Sequence, residues 1–256
     1  MRLVTTPGIL LRSHPYSESS RILRFLTPDF GVVALIGKGI ARRGASSGGL
    51  PDTFGEGLLT FSHRPDRELH TLRDFHKTTG ATSLGRDLRR FLGASLLVEL
   101  LLAHALQEGD PPLYAWIRSV LIHLGTAPES ELAGWILAGG WRTLSLLGFA
   151  PDLDHCAGCG KDLGGADDGL FDRFDAAAGG LRCPGCSEGS PLPRVGKTAR
   201  RDLATFVRGA PPSALQGSRA HLALLEDFAL HHLAPGRTFR SVAMLRPLLD
   251  PATVGE

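Results

Sequence analysis

Four cysteines, Cys156, Cys159, Cys183 and Cys186, are the residues whose type and spacing most directly imply chemistry. They form two CxxC pairs, Cys156-Ala157-Gly158-Cys159 and Cys183-Pro184-Gly185-Cys186, with 23 residues between them. A two-residue gap lets both sulfurs of a pair face one ion, and two such knuckles meeting across a hairpin supply the four-thiolate tetrahedron that zinc prefers. Gly158, Gly160 and Gly185 permit the tight turns that aim backbone N–H groups at the sulfurs. Between the knuckles, Leu170-Phe171 and Leu181 predict a small hairpin turning at Gly179-Gly180, as in a zinc ribbon. Four protein ligands leave no open coordination position, so the expected cofactor is one structural zinc ion. Thioredoxin-like redox pairs would need a βαβ pattern that neither pair has, and disulfides suit an oxidising compartment. Asp167, Asp168, Asp172 and Asp175, in a Gly-rich stretch, read as a solvated loop and not as a second metal site.

Other patterns that could carry catalysis fail on context. Gly44-Ala45-Ser46-Ser47-Gly48 has the GxSxG spacing of a serine-hydrolase elbow, but Arg42-Arg43 precede it and Gly49-Leu50-Pro51 follow, where a buried strand and a helix are required. The stretch Gly31 to Gly39 has one residue too many for a phosphate loop, and Gly39 stands where a magnesium-binding hydroxyl belongs. His231-His232 read as polar surface residues near a helix end. Without paired carboxylates, a nucleophile with its base or a cofactor fingerprint, the reading is of a protein that is not an enzyme.

Charge distribution supplies the next candidates. The chain carries +2 overall, but residues 1–79 carry +4, residues 197–256 carry +3 and the cysteine stretch 151–196 carries −4. Screening confines electrostatics to local patches, so a polyanion would meet the first segment and not the cysteines. Lys38-Gly39-Ile40-Ala41-Arg42-Arg43, continuing in small residues to Gly49, is basic and permits close backbone approach. With Arg12, Arg21 and Arg24 nearby in sequence, it has the composition of a groove that tracks phosphates.

These candidates need elements to hold them. Leu3-Val4 with Gly8 to Arg12, Ile22 to Thr27, Val32 to Ile36, Glu56 to Phe61 and Glu68 to Phe75 are short strand-like runs, parted by Pro7, Pro15, Pro28-Asp29, Gly37 to Gly49 and Pro65-Asp66. About five strands with no room for crossover helices predict a small antiparallel barrel; an OB-fold and an SH3-like barrel both meet that count. From about Thr82 the apolar period becomes helical, with one helix to Leu106 and a second capped by Asp110. A third follows from about Pro128 to Gly148, in which Gly139-Gly140 implies a close-packed neighbour. After the cysteines, Lys197 to Val207 and Ser218 to Leu233 predict two more helices. The expected organisation is α+β: a small barrel at 1–79, of OB-fold or SH3-like type, then a helical bundle at 80–256 interrupted by a zinc-binding insertion at 151–196. No export signal and no apolar run of the roughly 18 residues a membrane span needs is visible, which predicts a cytoplasmic protein with no membrane partner.

Several of these runs together resemble a known family. Gly8-Ile9-Leu10-Leu11-Arg12, Pro15-Tyr16-Ser17-Glu18-Ser19-Ser20-Arg21-Ile22, Leu26-Thr27-Pro28-Asp29-Phe30-Gly31 and Gly37-Lys38-Gly39-Ile40-Ala41-Arg42-Arg43 closely resemble the amino-terminal domain of the bacterial RecO family of recombination mediators. The resemblance continues through the helical middle, the two-knuckle insertion and a tail at His232 to Ser241. It implies an OB-fold followed by a helical domain, binding of single- and double-stranded DNA, and annealing of complementary strands. It also implies association with RecR and with single-strand DNA-binding protein, and assistance in loading RecA. The family's basic stretch falls on Lys38, Arg42 and Arg43, with Arg12 and Arg21 in the first two strands. Arg240 stands before Ser241 where the family leads one to expect lysine, and only Tyr16, Phe30 and Phe54 offer rings near the basic loop, so phosphate contacts should outweigh base stacking. A protein-interaction scaffold with weak nucleic-acid contact is the other class of function these residues fit.

Overall fold

Alternation of apolar and polar residues at period two produces the strands. In the computed structural model, which describes residues 2–40, 52–78, 84–104, 108–164 and 172–249, these are β1 (Arg2–Pro15), β2 (Arg21–Thr27), β3 (Gly31–Gly37), β4 (Glu56–His63) and β5 (Leu69–Lys77). Their pairings run β1-β2-β3-β5-β4 and return to β1, closing a five-stranded barrel of OB-like connectivity. Only the β3–β5 pairing is parallel. In β3 every second residue is buried, and Leu10, Leu23, Phe25, Val33, Leu35, Leu59, Phe61 and Phe75 fill the interior.

The first strand differs from the sequence expectation. Pro7 does not divide it; β1 is continuous from Arg2 to Pro15 and changes partner on the way. Residues Arg2 to Ile9 pair with β4 and Ile9 to Pro15 with β2. Pro7 precedes the β2 pairing, so one edge of β1 is free there and a missing N–H costs no ladder bond. The register shifts between Leu10 and Arg12, a bulge that lets Leu10 and Leu11 both be buried while Arg12 is exposed. Gly57, in the β1–β4 pairing, is required by packing: a Cβ there would stand 2.4 Å from the Phe75 ring.

Among the described residues, the barrel, the start of α1 (Leu88–His104) and all of α2 (Pro111–Thr126) form one compact unit. Asp110 caps α2 as the sequence implies, its Oδ1 accepting from the Leu113 N–H at 2.9 Å. On the next turns, Tyr114 Oη donates to Glu56 Oε1 at 3.0 Å and Arg118 Nε to Glu56 Oε2 at 2.8 Å, which fixes α2 to β4.

The second unit holds the rest of α1, α3 (Glu129–Leu146), the cysteine segment, α4 (Lys197–Val207), α5 (Ser218–His232) and α6 (Arg240–Leu245). The short α6 lies beyond the helices expected from periodicity. It is held from α1, where the Glu99 carboxylate accepts from the Ser241 hydroxyl at 2.9 Å and its N–H at 3.4 Å. Gly140 is where α3 and α5 approach: a Cβ there would lie 2.4 Å from Leu225 Cδ2, and Leu225 is fully buried. Gly140→Ala should therefore lower stability by ~1–3 kcal/mol through overpacking, even though alanine improves helix propensity by about 1 kcal/mol. Urea unfolding checks this, and a rise in the midpoint would contradict it.

Candidate metal centre and nucleic-acid interface

All four cysteine Sγ atoms lie within 4.8 Å of one another. Cys159 and Cys183 stand 3.8 Å apart, far beyond a disulfide, and all four are free thiols. Zinc–sulfur bonds of about 2.3 Å at tetrahedral angles require sulfurs about 3.8 Å apart, so the donor set fits one such ion. No group of His, Cys, Asp or Glu with this property includes any other residue among the described ones.

Local structure builds the cluster. The first knuckle is tied to the second by the Ala157 N–H, which donates to the Leu181 carbonyl at 2.7 Å, and the Cys183 N–H donates to Cys156 Sγ at 3.2 Å. The Gly158 N–H reaches the same sulfur at 3.4 Å. Burial alone would push the Cys156 thiol up, but N–H groups of Cys183, Cys159 and Gly158 outweigh it and its pKa falls to about 6. Hydrogen bonding with Cys159, Cys183 and Cys156 pushes the Cys186 thiol up to about 12. Crowded sulfurs cannot all ionise without a compensating cation.

The hairpin between the knuckles is present, with a different turn. Strands β6 (Asp172–Asp175) and β7 (Gly180–Arg182) pair across residues 176–179, so Gly180 opens a strand instead of sitting in the turn. A third strand, β8 (Arg194–Val195), joins β6 and leads into α4. Leu170, Phe171, Asp167 and Asp168 lie outside the described residues. Asp172 and Asp175 are not loop residues: both are in β6, and Asp175 is buried, accepting from Arg182 Nε at 2.6 Å. Nor is the segment a separate appendage. Phe174 is 1% exposed, with its ring 6.0 Å from Trp141 of α3 and 5.9 Å from Phe228 of α5. His232, expected at the surface, stacks 4.4 Å from Phe228 and meets the Ala176 carbonyl at 2.6 Å; His231 is exposed.

Register places the basic residues on the barrel. Arg12 of β1 lies directly opposite Arg24 of β2, and both are exposed. Leu23 and Phe25 point inward, so Arg24 and its partner share the outer face. Neither guanidinium has a hydrogen-bond or ion-pair partner among the described residues. Like charges directly opposite destabilise a sheet, so an unneutralised pair is a receptive position for an anion. Arg21 shares the inner-face parity of Leu23 and donates from Nε to Ser13 Oγ at 2.7 Å, at the end of the strand and apart from that pair. Lys38 is exposed just past β3; Arg42 and Arg43 lie outside the described residues. Of the three rings, Phe54 is buried against Phe91 and Phe30 packs on Phe61, which leaves Tyr16 exposed. Three further arginines, Arg64, Arg67 and Arg73, which strand and turn patterning does not single out, line a hollow at the β4–β5 hairpin. The Arg-x-x-Arg spacing around Pro65-Asp66 was the available signal.

An OB-like barrel carrying an exposed Arg12–Arg24 pair, followed by helices and a four-cysteine cluster with metal-binding spacing, defines a class of α+β proteins built from a barrel and a metal-centred helical part. Residues 1–79 match the family pattern described as Recombination protein O N terminal, and residues 85–236 match Recombination protein O C terminal. Similar proteins named DNA repair protein RecO come from Rubrobacter xylanophilus, 34% identical over 75% of this chain and 74% of that protein, and from Anaeromyxobacter dehalogenans, 30% identical over 91% and 92%. Another, from Synechococcus elongatus, is 31% identical over 60% of this chain, and the match spans 58% of that relative's length, less than two thirds. The chain belongs to the RecO family, proteins of DNA repair and recombination.

Proposed function

We propose that this chain is a non-enzymatic recombination mediator that binds single- and double-stranded DNA through its barrel and anneals complementary strands. Family membership supports the repair role, and the observation that carries the binding mode is the exposed Arg12–Arg24 pair, two facing cations without an ion-pair partner among the described residues. Lys38 extends that charge, and by resemblance Arg21, Arg42 and Arg43 join it. Phosphate contacts hold a backbone without reading bases, which suits a protein that must accept any sequence while two strands pair. RecR and single-strand DNA-binding protein are the proposed protein partners, and RecA loading the proposed outcome, in the cytoplasm. Cys156, Cys159, Cys183 and Cys186 hold one structural zinc, which supplies folding free energy and no chemistry. No helix among the described residues is long and apolar enough to cross a membrane.

A titration of the intact protein against single-stranded DNA at several salt concentrations tests this reading. Affinity should fall steeply with salt, with a slope of log K against log salt of roughly −0.7 for each phosphate engaged. No measurable affinity at low salt would reject it in favour of a scaffold that binds proteins.

A further inference from the structure

The register of the barrel continues the outer row that holds Arg12 and Arg24 across two more strands. Arg24 lies opposite Ala34 of β3, and Ala34 lies opposite Leu69 of β5. Arg12, Arg24, Ala34 and Leu69 thus form one row across four adjacent strands, about 14 Å at ~4.8 Å per strand. The interior of this row is small and low, since Ala34 offers only a methyl group.

At its β5 end stands the hollow formed by Arg64, Arg67, Arg73, Ser62 and His70. Thr71 shares the face of Leu69 by period two, while His70 and Leu72 turn the other way, and Arg73 stands at an irregularity between the Phe61–Leu72 and Thr60–Asp74 pairs. Arg73 also lines a second hollow with Lys38, Ile40 and Asp74, so it joins the exit of β3 to the β4–β5 hairpin. Asp74, the one acid there, is engaged by His76 at 2.7 Å. Asp66 and Glu68 lie in the same hairpin turn but do not line either hollow. His70 is 8% exposed, and its Nδ1 is buried with no hydrogen-bond partner among the described residues. That ring packs inward on Phe61 and His63, with centroids 5.7 and 4.7 Å away, so what the hollow offers an anion is its three guanidinium groups.

We propose that the β4–β5 hairpin is a second phosphate anchor, in which Arg67 and Arg73 receive the backbone of a single strand that crosses the barrel from Arg12 and Arg24. This rests on the DNA-binding reading above and adds to it a direction and an end point: the strand runs across β1, β2, β3 and β5 and is gripped at both margins. Arg73 donates from Nε to Ser62 Oγ at 2.8 Å, which holds its guanidinium in place and leaves its terminal nitrogens for the phosphate.

The test uses the intact chain and oligothymidylate, which offers a uniform backbone. Arg67→Ala combined with Arg73→Ala should flatten the slope of log K against log salt by about 1.4, the loss of two contacts on a single strand. Arg12→Ala with Arg24→Ala, measured in parallel, should flatten it by a similar amount. If loss of the Arg73–Ser62 bond unfolds the double variant, Arg67→Glu alone, at an exposed turn position, must still weaken binding and flatten the slope. A hairpin variant with the parent's slope, beside a parent whose binding is salt-dependent, overturns the second anchor and leaves the DNA-binding reading standing. A parent with no salt-dependent binding overturns both. Loss of binding to an acidic peptide, with the DNA slope unchanged, would assign the hollow to a protein ligand and overturn the proposal as well.

Discussion

Cys156→Ser should abolish stoichiometric zinc binding and destabilise the helical unit, while the barrel stays folded. The reason lies in Phe174. The hairpin that the knuckles close delivers this ring between Trp141 and Phe228, where it is 1% exposed. Removing a buried phenylalanine costs ~3–5 kcal/mol, and a segment that unfolds without its metal withdraws the whole ring. Phe174→Ala should therefore lower stability by ~3–5 kcal/mol with the metal retained, while Cys156→Ser should lose both metal and stability. Metal analysis with thermal unfolding separates the two: the parent should carry one zinc per chain. Unchanged unfolding of a metal-free Cys156→Ser protein would show that Phe174 keeps its place without the ion. A parent without zinc would end the structural-metal reading.

Arg12→Ala, Arg24→Ala and Lys38→Ala combined should weaken DNA binding for every sequence and flatten the salt slope by about 2 if all three touch phosphates. Stability should move the other way. Removing two cations that face each other across β1 and β2 relieves a repulsion of about 0.2–1 kcal/mol, so the variant should unfold at the same or a slightly higher denaturant concentration. Strand annealing should fall with affinity, because the protein must screen two backbones from each other while their bases pair. Zinc content should not change, since the cysteines belong to the other compact unit. A less stable variant with unaltered DNA binding would mean that these side chains serve the barrel instead.

Much of this protein is legible in its residues because the signals are local. Two CxxC pairs define a four-sulfur site by spacing alone, since a knuckle closes within four residues. The runs of β2 to β5 show in apolar alternation, α4 appears at Lys197 to Val207 from its helical period, and the Asp110 cap follows from side-chain chemistry next to a proline. Gly139-Gly140 signals a close neighbour because two glycines in mid-helix cost too much otherwise.

Only tertiary structure decided which residues face each other. A bulge at Leu11 moves Arg12 opposite Arg24; without that one-residue shift it would stand opposite Leu23. Continuity of β1 through Pro7 depends on β2 being absent beside it there, which the proline itself cannot signal. Phe30 and Phe54 become packing residues, and Phe174 part of the helical core, through contacts far apart in the chain. The small α6 has too few turns to show a period and is fixed by Glu99, more than a hundred residues earlier. The physical reason is common to all of these: period and spacing record what a side chain needs from its immediate neighbours, whereas register and burial are settled by strands and helices that the chain brings together only on folding.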